Sequence, residues 1–172
     1  VKVTIHNWAD FGAHGDSTAA WNVSIMHNAF YMPQLDRTRR IWIYKPPDYE
    51  ESGRSYPVLY MHDGQNLFET VTSFAGEWEV DETLNQLADS GYQVPIVIGI
   101  DNGGFYRTEE LTPWVYPEYP TGRGDDYMAF IVETLKPYVD SSYRTLKDRN
   151  NTGIMGSSLG GLISTYGALR YQ

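Results

Sequence analysis

The sequence predicts a domain of the α/β class, with a mostly parallel central sheet and helices on both of its faces. Two short apolar runs, residues 57–61 (PVLYM) and 95–100 (PIVIGI), do not alternate polar with apolar residues. Runs of this kind are typical of parallel strands that are buried on both faces. Residues 77–88 lie between them and combine acidic residues at the start with apolar residues at helical spacing. This alternation of strand and helix is the order of a parallel sheet with right-handed crossovers.

An antiparallel pair of strands is expected before the first parallel strand. Residues 22–27 and 39–45 have the composition of strands, and residues 35–37 lie between them as a turn. The prolines of the segment KPPD then end the second strand. Residues 7–20 are rich in Gly, Ala, Asp and Ser, which indicates an irregular entry segment.

Two further elements complete the predicted order. Residues 125–136 begin with two aspartates and continue with apolar residues, which predicts a second helix. Residues 152–155 (TGIM) predict a fourth strand, which leads directly into a glycine-rich turn and the start of another helix.

Composition excludes several classes of function. The chain has 172 residues, long enough for one sizeable core, and its net charge of −9 opposes binding to nucleic acid or to anionic membranes. Cysteine is absent, so disulfides, thiolate metal sites and a cysteine nucleophile are excluded. We find no apolar run long enough to span a membrane. The aromatic fraction of 15% suggests flat surfaces that can stack on sugar or phenolic rings, although aromatics of an ordinary core would give the same count.

The turn after the fourth strand carries the candidate nucleophile. Residues 156–160 (GSSLG) fit the pattern G-x-S-x-G with Ser158 at its centre. A strand that turns sharply into a helix brings backbones close together, so glycine is needed on both sides of the serine. The serine is then exposed at the positive end of the new helix. Alone the pattern is weak, but here a strand precedes it and a helix follows it, which favours a nucleophile over a simple turn.

A second motif, at residues 62–65 (HDGQ), indicates an oxyanion hole. Where a G-x-S-x-G turn carries the nucleophile, the oxyanion hole is formed by two backbone N–H donors, one from the residue after the serine, here Leu159, and one from the loop after an earlier strand. Gly64 would let that loop turn tightly and direct the amide of Gln65 toward the site. The alternative is an ordinary Asp-Gly turn.

Taken in order, these motifs resemble the putative esterase family of α/β hydrolases, which is similar to the enterochelin, feruloyl and acetyl xylan esterases and to esterase D. The resemblance covers residues 37–172 and rests on the segments YPVLYMHDGQNLF (56–68), GEWEV (76–80), VIGIDN (97–102), RTEELTPW (107–114), LKPY (135–138), YRT (143–145) and GSSLGG (156–161). We therefore interpret residues 1–36 as an entry segment with the first strand, and residues 37–172 as the N-terminal portion of an α/β-hydrolase domain.

The resemblance implies a serine carboxylic ester hydrolase that acts through an acyl-enzyme. It implies Ser158 as nucleophile, the amides of Gln65 and Leu159 as oxyanion donors, and as substrates acyl or feruloyl esters of carbohydrates or siderophore esters. Two alternatives remain open: a non-catalytic carbohydrate-binding domain with a hydrolase-like fold, and an acyltransferase.

In this family the triad acid and histidine follow the nucleophile helix, and this sequence does not contain them. We therefore expect the C-terminal part of the domain to lie elsewhere, either in a longer protein or in a second chain, and this chain alone to be inactive. His62 is the one histidine beside a motif, but a histidine at a strand end is more often structural than a general base.

Three more residues are weaker candidates for substrate binding. Asp101 ends a parallel strand at the edge where α/β sheets bind ligands, and Arg107 and Trp114 follow in the next loop. As an alternative, Arg107 pairs only with Glu110. No spacing among the histidines and acids matches a metal site, so we assign neither a metal nor a cofactor.

Overall fold

The computed structural model describes residues 8–11, 17–26, 29–74, 76–115, 117 and 122–171. The strands of this part of the chain are β1 (Trp8–Phe11), β2 (Val23–Met26), β3 (Phe30–Met32), β4 (Arg37–Arg39), β5 (Ile41–Tyr44), β6 (Val58–His62), β7 (Ile96–Ile100) and β8 (Thr152–Met155). Its α-helices are α1 (Tyr49–Ser52), α2 (Val80–Asp89), α3 (Arg107–Glu110), α4 (Gly124–Ala129), α5 (Lys136–Ser142) and α6 (Leu159–Arg170). Within these described ranges, every helix is too short or too polar to cross a membrane.

Six of the strands form one mixed sheet in the order β1-β2-β5-β7-β6-β8. The pairs β1–β2, β2–β5 and β5–β7 are antiparallel, whereas β6 runs parallel to both β7 and β8. The predicted α/β-hydrolase class is confirmed, and the three strands that lead into the candidate site are the parallel ones.

The predicted antiparallel pair is confirmed, but its connection is more elaborate than a turn. Strand β2 pairs with β5, with Ser24 opposite Ile43. Between them β3 and β4 form a separate two-stranded sheet, and the turn at residues 33–36 belongs to that hairpin. The predicted turn at residues 35–37 was therefore placed in the right region but assigned to the wrong pair of strands.

The predicted helices are present with different ends. Helix α2 begins at Val80 because Glu79 has φ 52°, a left-handed conformation that a helix does not continue. The predicted helix at residues 125–136 is longer, because α4 continues through a π-helical segment, Phe130–Leu135, into α5. Strand β8 has the predicted bounds.

Alternate residues of the central strands fill two core layers, one on each face of the sheet. On one face, Ile43, Tyr60 and Ile98 pack with the helical residues Phe130 and Ile163. On the other face, Trp42, Met61 and Val97 pack together, with Leu84 of α2 against them. Burial of each such side chain contributes about 1.5–3 kcal/mol. Helices therefore cover both faces, as the fold class predicts.

A buried ion pair connects the small hairpin to α3. The Glu110 carboxylate is 1% exposed and accepts hydrogen bonds from Arg39 Nη2 at 2.7 and 2.9 Å and from Arg37 Nη1 at 2.8 Å. The adjacent Glu109 is more exposed and contacts Arg37 Nη2 at 3.3 Å.

We predict that Glu110→Ala lowers the free energy of unfolding by about 3–5 kcal/mol, because it leaves the buried Arg39 guanidinium without its partner. The neighbouring Glu109→Ala is the matched control and is expected to cost at most about 1 kcal/mol. Urea unfolding of both variants tests this, and equal losses would contradict it.

Candidate active site

The register of the parallel strands brings three loops to one edge of the sheet. Met61 of β6 lies opposite both Gly99 of β7 and Met155 of β8, so these strands end at the same level. The loops that follow them begin with Asp63, Asp101 and Gly156 and contain the sequence-predicted site residues. This is the carboxyl edge, where ligands bind in open α/β sheets.

Ser158 lies on a strained turn between β8 and α6. Its φ is 54° and its ψ is −122°, a combination that residues other than glycine rarely adopt. The residue is exposed and occupies the N-cap position of α6. The positive end of the helix dipole therefore lies at Ser158 and favours negative charge beside it.

The two glycines of the motif allow this turn to pack against β6. A Cβ on Gly156 would lie 2.9 Å from the backbone of Gly160 and 2.9 Å from His62 Cδ2. A Cβ on Gly160 would lie 3.3 Å from His62 Cβ. Any larger residue at position 156 would force the turn away from the sheet, which confirms the predicted reason for glycine there, whereas a Cβ at position 160 would make only a tight contact with His62.

The loop after β6 packs just as closely on the neighbouring strand. A Cβ on Gly64 would lie 2.7–2.9 Å from the backbone of residues 99–101. Gly64 begins a single 3₁₀ turn, Gly64–Asn66, which contains Gln65. Leu159 is the first residue of α6, and a helix does not pair the amides of its first turn. Gln65 and Leu159 thus lie in adjacent loops at the same edge as Ser158.

Asp63 is the centre of a polar network that fixes the Gln65 loop. Its carboxylate accepts hydrogen bonds from Arg107 Nε at 2.6 Å and Nη2 at 2.9 Å, and from Asn102 Nδ2 at 2.7 Å. The backbone N–H of Asn102 in turn donates to Gln65 Oε1 at 3.1 Å. Burial disfavours the charged form of Asp63, but the hydrogen bonds from Arg107 and Asn102 hold its pKa below the usual value. The network joins the ends of β6 and β7.

Two of the weaker candidates for substrate binding, Arg107 and Asp101, form ion pairs and hydrogen bonds with other residues of the chain. Arg107 forms the bidentate pair with Asp63, and its pairing with Glu110, the stated alternative, is wrong. Asp101 accepts hydrogen bonds from Trp42 Nε1 and Arg40 Nε, each at 2.7 Å. Burial raises the pKa of Asp101, an effect that Arg40 and Trp42 partly offset.

Trp114 is the candidate that remains open to solvent. Its side chain is 54% exposed, and its ring packs edge to face on Tyr166 of α6 with a centroid separation of 5.9 Å. Tyr166 lies eight residues after Ser158, which is about 12 Å along a helix. An aromatic surface therefore lies about two turns from the candidate nucleophile.

His62 lies beneath the turn and makes no hydrogen bond to Ser158 within the described residues. Its ring is 1% exposed, Nδ1 is 2.9 Å from Tyr127 Oη, and Nε2 has no partner in the described part of the chain. Burial lowers the pKa of His62 to about 4, so the ring is neutral at pH 7. His6, His14 and His27 lie outside the described residues.

Sequence reasoning missed two residues of the site, Asp63 and Tyr127. Asp63 lies in the quoted motif HDGQ, where its position at a strand end was the available signal. Tyr127 lies in α4, where nothing in the local pattern indicates contact with His62.

The buried neutral His62 predicts a pH dependence of stability. Its pKa is about 4 in the folded protein and about 6.5 in an unfolded chain, so the unfolded state binds this proton first as the pH falls. The contribution of neutral His62 to the free energy of unfolding is fully present above about pH 6.5. It is lost as the pH falls toward 4, and the free energy of unfolding decreases by about 3 kcal/mol in total.

His62→Asn should therefore reduce the loss of stability between pH 7.5 and pH 4.5 relative to the wild type. Urea unfolding at both pH values measures this loss, and the acidic residues common to both proteins cancel in the comparison. The same pH dependence in both proteins would show that His62 is accessible to protons in the folded state.

Comparison with protein families gives a match over most of the chain. Residues 33–172 match a family model described as "Putative esterase". The uncharacterized protein YbbA of Bacillus subtilis is 27% identical over 139 residues, which cover 77% of this chain and 52% of YbbA. The siderophore enterobactin esterase of Emericella nidulans is 25% identical over 128 residues, which cover 68% of this chain and 42% of that protein.

Solved structures show the same fold. A ferulic acid esterase from the anaerobic fungus Anaeromyces mucronatus superposes with a TM-score of 0.59 at 24% identity, over 94% of this chain and 57% of the esterase chain. This chain thus spans about half the length of the curated relatives that it matches.

Proposed function

Since this chain belongs to the putative esterase family, we propose that the protein is a serine carboxylic ester hydrolase with Ser158 as its nucleophile. The observation that carries the proposal is the strained, exposed backbone of Ser158 at the N-terminus of α6, with φ 54° and ψ −122°. Strain of this kind costs about 1–3 kcal/mol and persists only where the surroundings enforce it. Tight turns that use this conformation normally place glycine there, so a serine in it favours a functional reason.

In the acylation step, Ser158 Oγ forms a bond to the ester carbonyl carbon while a general base takes the hydroxyl proton. The carbonyl oxygen becomes an oxyanion, to which the amides of Gln65 and Leu159 donate. When the tetrahedral intermediate collapses, the bond from carbon to the alcohol oxygen breaks and the protonated base returns its proton to that oxygen. The alcohol leaves, and the acid remains as an ester on Ser158.

In the second step, water repeats the attack on the acyl-enzyme. The base takes a proton from water, the new oxyanion occupies the same two amides, and Ser158 leaves with that proton. The base is a histidine with an acidic partner, supplied from outside the described residues. His62 is not assigned this role because it is buried, is hydrogen bonded to Tyr127 and has a pKa of about 4.

The substrate class proposed is an ester that carries an aromatic acyl group, as in feruloyl esters of carbohydrates or in siderophore esters. Support comes from the exposed Trp114, whose ring packs on the half-buried Tyr166 of α6, the helix that begins directly after Ser158. Stacking of a phenolic ring on these rings stabilises the complex by about 0.5–1.5 kcal/mol, in addition to the free energy gained by burying apolar surface. The relatives named as enterobactin and ferulic acid esterases support the same class.

We predict that Ser158→Ala lowers kcat for ester hydrolysis by about 10⁴- to 10⁶-fold in the full-length protein, because no other group can form the acyl-enzyme. Ser157→Ala, at the exposed neighbouring position, is the matched control and should retain nearly all activity. Steady-state kinetics on a chromogenic ester tests both variants. A large loss in Ser157→Ala with activity retained in Ser158→Ala would move the nucleophile to the neighbouring residue.

We further predict that Trp114→Ala lowers kcat/KM for methyl ferulate by about 3- to 10-fold and leaves kcat/KM for a simple acetyl ester unchanged. The difference arises because only the aromatic acyl group stacks on the ring. Equal losses on both esters would contradict a role of Trp114 in acyl recognition. Val115→Ala, exposed beside Trp114, serves as control.

A further inference from the structure

Three carboxylates converge at the start of α2, next to the residues that follow Gln65, since the amides of Trp78 and Val80 donate to the carbonyl oxygens of Asn66 and Leu67. Glu77, Asp81 and Glu82 each present one oxygen, and these oxygens all lie within 4.8 Å of one another. Asp81 is fully buried, and its Oδ1 has no hydrogen-bond partner among the described residues. Glu77 Oε1 and Glu82 Oε2 are also shielded from solvent and lack partners in the described part of the chain.

The other oxygens of two of these carboxylates are held in place by donors. Glu77 Oε2 accepts hydrogen bonds from Thr18 Oγ1 at 2.8 Å and from Thr70 Oγ1 at 2.6 Å. Asp81 Oδ2 accepts from the amide of Ala20 at 2.6 Å. Hydrogen bonds to one oxygen fix the orientation of a carboxylate, as outer contacts do around metal ligands. The oxygens without partners are shielded from solvent.

This arrangement lacks the positive charge that it requires. Among the described residues, no lysine or arginine forms an ion pair with any of the three carboxylates. Burial, together with the neighbouring Glu82, raises the pKa of Asp81. Buried carboxylates that face one another are costly unless a cation or a proton lies between them.

We propose that Glu77, Asp81 and Glu82 bind a divalent cation of the calcium type. Hard oxygen ligands are what Ca²⁺ and Mg²⁺ prefer, and Ca²⁺ binds oxygens at about 2.3–2.6 Å, so one ion can bridge oxygens up to about 5 Å apart. Three carboxylates supply three ligands, and water completes the coordination of the ion.

The ion would stabilise a contact between two parts of the chain that are far apart in sequence, residues 18–20 and the start of α2. Ala20 and Thr18 belong to the segment before β2, Glu77 to the segment before α2, and Asp81 to α2 itself. The connection continues toward the ester site, because Thr72 Oγ1 donates to the carbonyl oxygen of Gln65 at 2.7 Å. The site is therefore a structural clamp beside the Gln65 loop, and it does not depend on the proposed esterase activity.

The assignment of no metal from the sequence rested on histidine spacing. Two of the ligands are adjacent in sequence and the third is four residues earlier, a pattern that is also expected for an acidic first turn of a helix. Burial and the unpaired oxygens, which only the structure shows, distinguish the two explanations.

The test uses the full-length protein, freed of metal with a chelator and titrated calorimetrically with Ca²⁺ and separately with Mg²⁺. The expected result is one bound ion per chain. Thermal unfolding should show a midpoint higher by about 5–10 °C when the ion is at about a hundred times its dissociation constant. Asp89→Asn, at the exposed end of the same helix, is the matched control and should behave as the wild type.

Asp81→Asn should abolish binding and the rise in midpoint. Without metal its midpoint should equal or exceed that of the wild type, because the amide removes a buried charge and can still accept from Ala20. If Asp81→Asn does not fold, Glu82→Gln replaces it, and it too is expected to lose ion binding and the rise in the unfolding midpoint. Absence of binding of either ion by the wild type, or unchanged binding by both variants, would overturn the proposal and leave a proton shared between Asp81 and Glu82 as the explanation.

Discussion

The close contact between the end of β6 and the turn after β8 is the constraint on which the candidate site depends. Ser158 adopts φ 54° because the chain must reverse from strand to helix within a few residues. The reversal is feasible because Gly156 and Gly160 let the backbone rest on the His62 ring. The strain at Ser158 is thus balanced by packing at the sheet edge, and the same packing exposes the hydroxyl at the positive end of α6.

His62, on which that turn packs, is kept neutral and fixed in position by its surroundings. Burial lowers the pKa of His62 to about 4, and Tyr127 binds Nδ1. The next residue, Asp63, remains charged through its pair with Arg107. One neutral and one charged residue at consecutive positions therefore support two different loops, the Ser158 turn and the Gln65 loop. Arg107 is a positioning residue in this arrangement.

Much of the fold could be predicted from the sequence, because its signals are local. The bounds of β8, the parallel pair of β6 and β7, and the glycines around Ser158 follow from runs of apolar residues and from steric limits at a sharp turn. The hairpin of β3 and β4 was missed because its strands have three residues each, too few for a periodic pattern. The partner of Arg107 was also missed, since the choice between Asp63 and Glu110 depends on how the ends of β6 and β7 meet in space.

A serine esterase requires that Ser158 is an activated nucleophile, and covalent labelling tests this activation most directly. The full-length protein would be treated with a fluorophosphonate, and the modified residue would be located by mass spectrometry of its peptides. We predict one adduct per chain, on Ser158, that is absent from Ser158→Ala and unchanged in Ser157→Ala. An adduct on another serine, or none under conditions that label a known serine hydrolase, would contradict it.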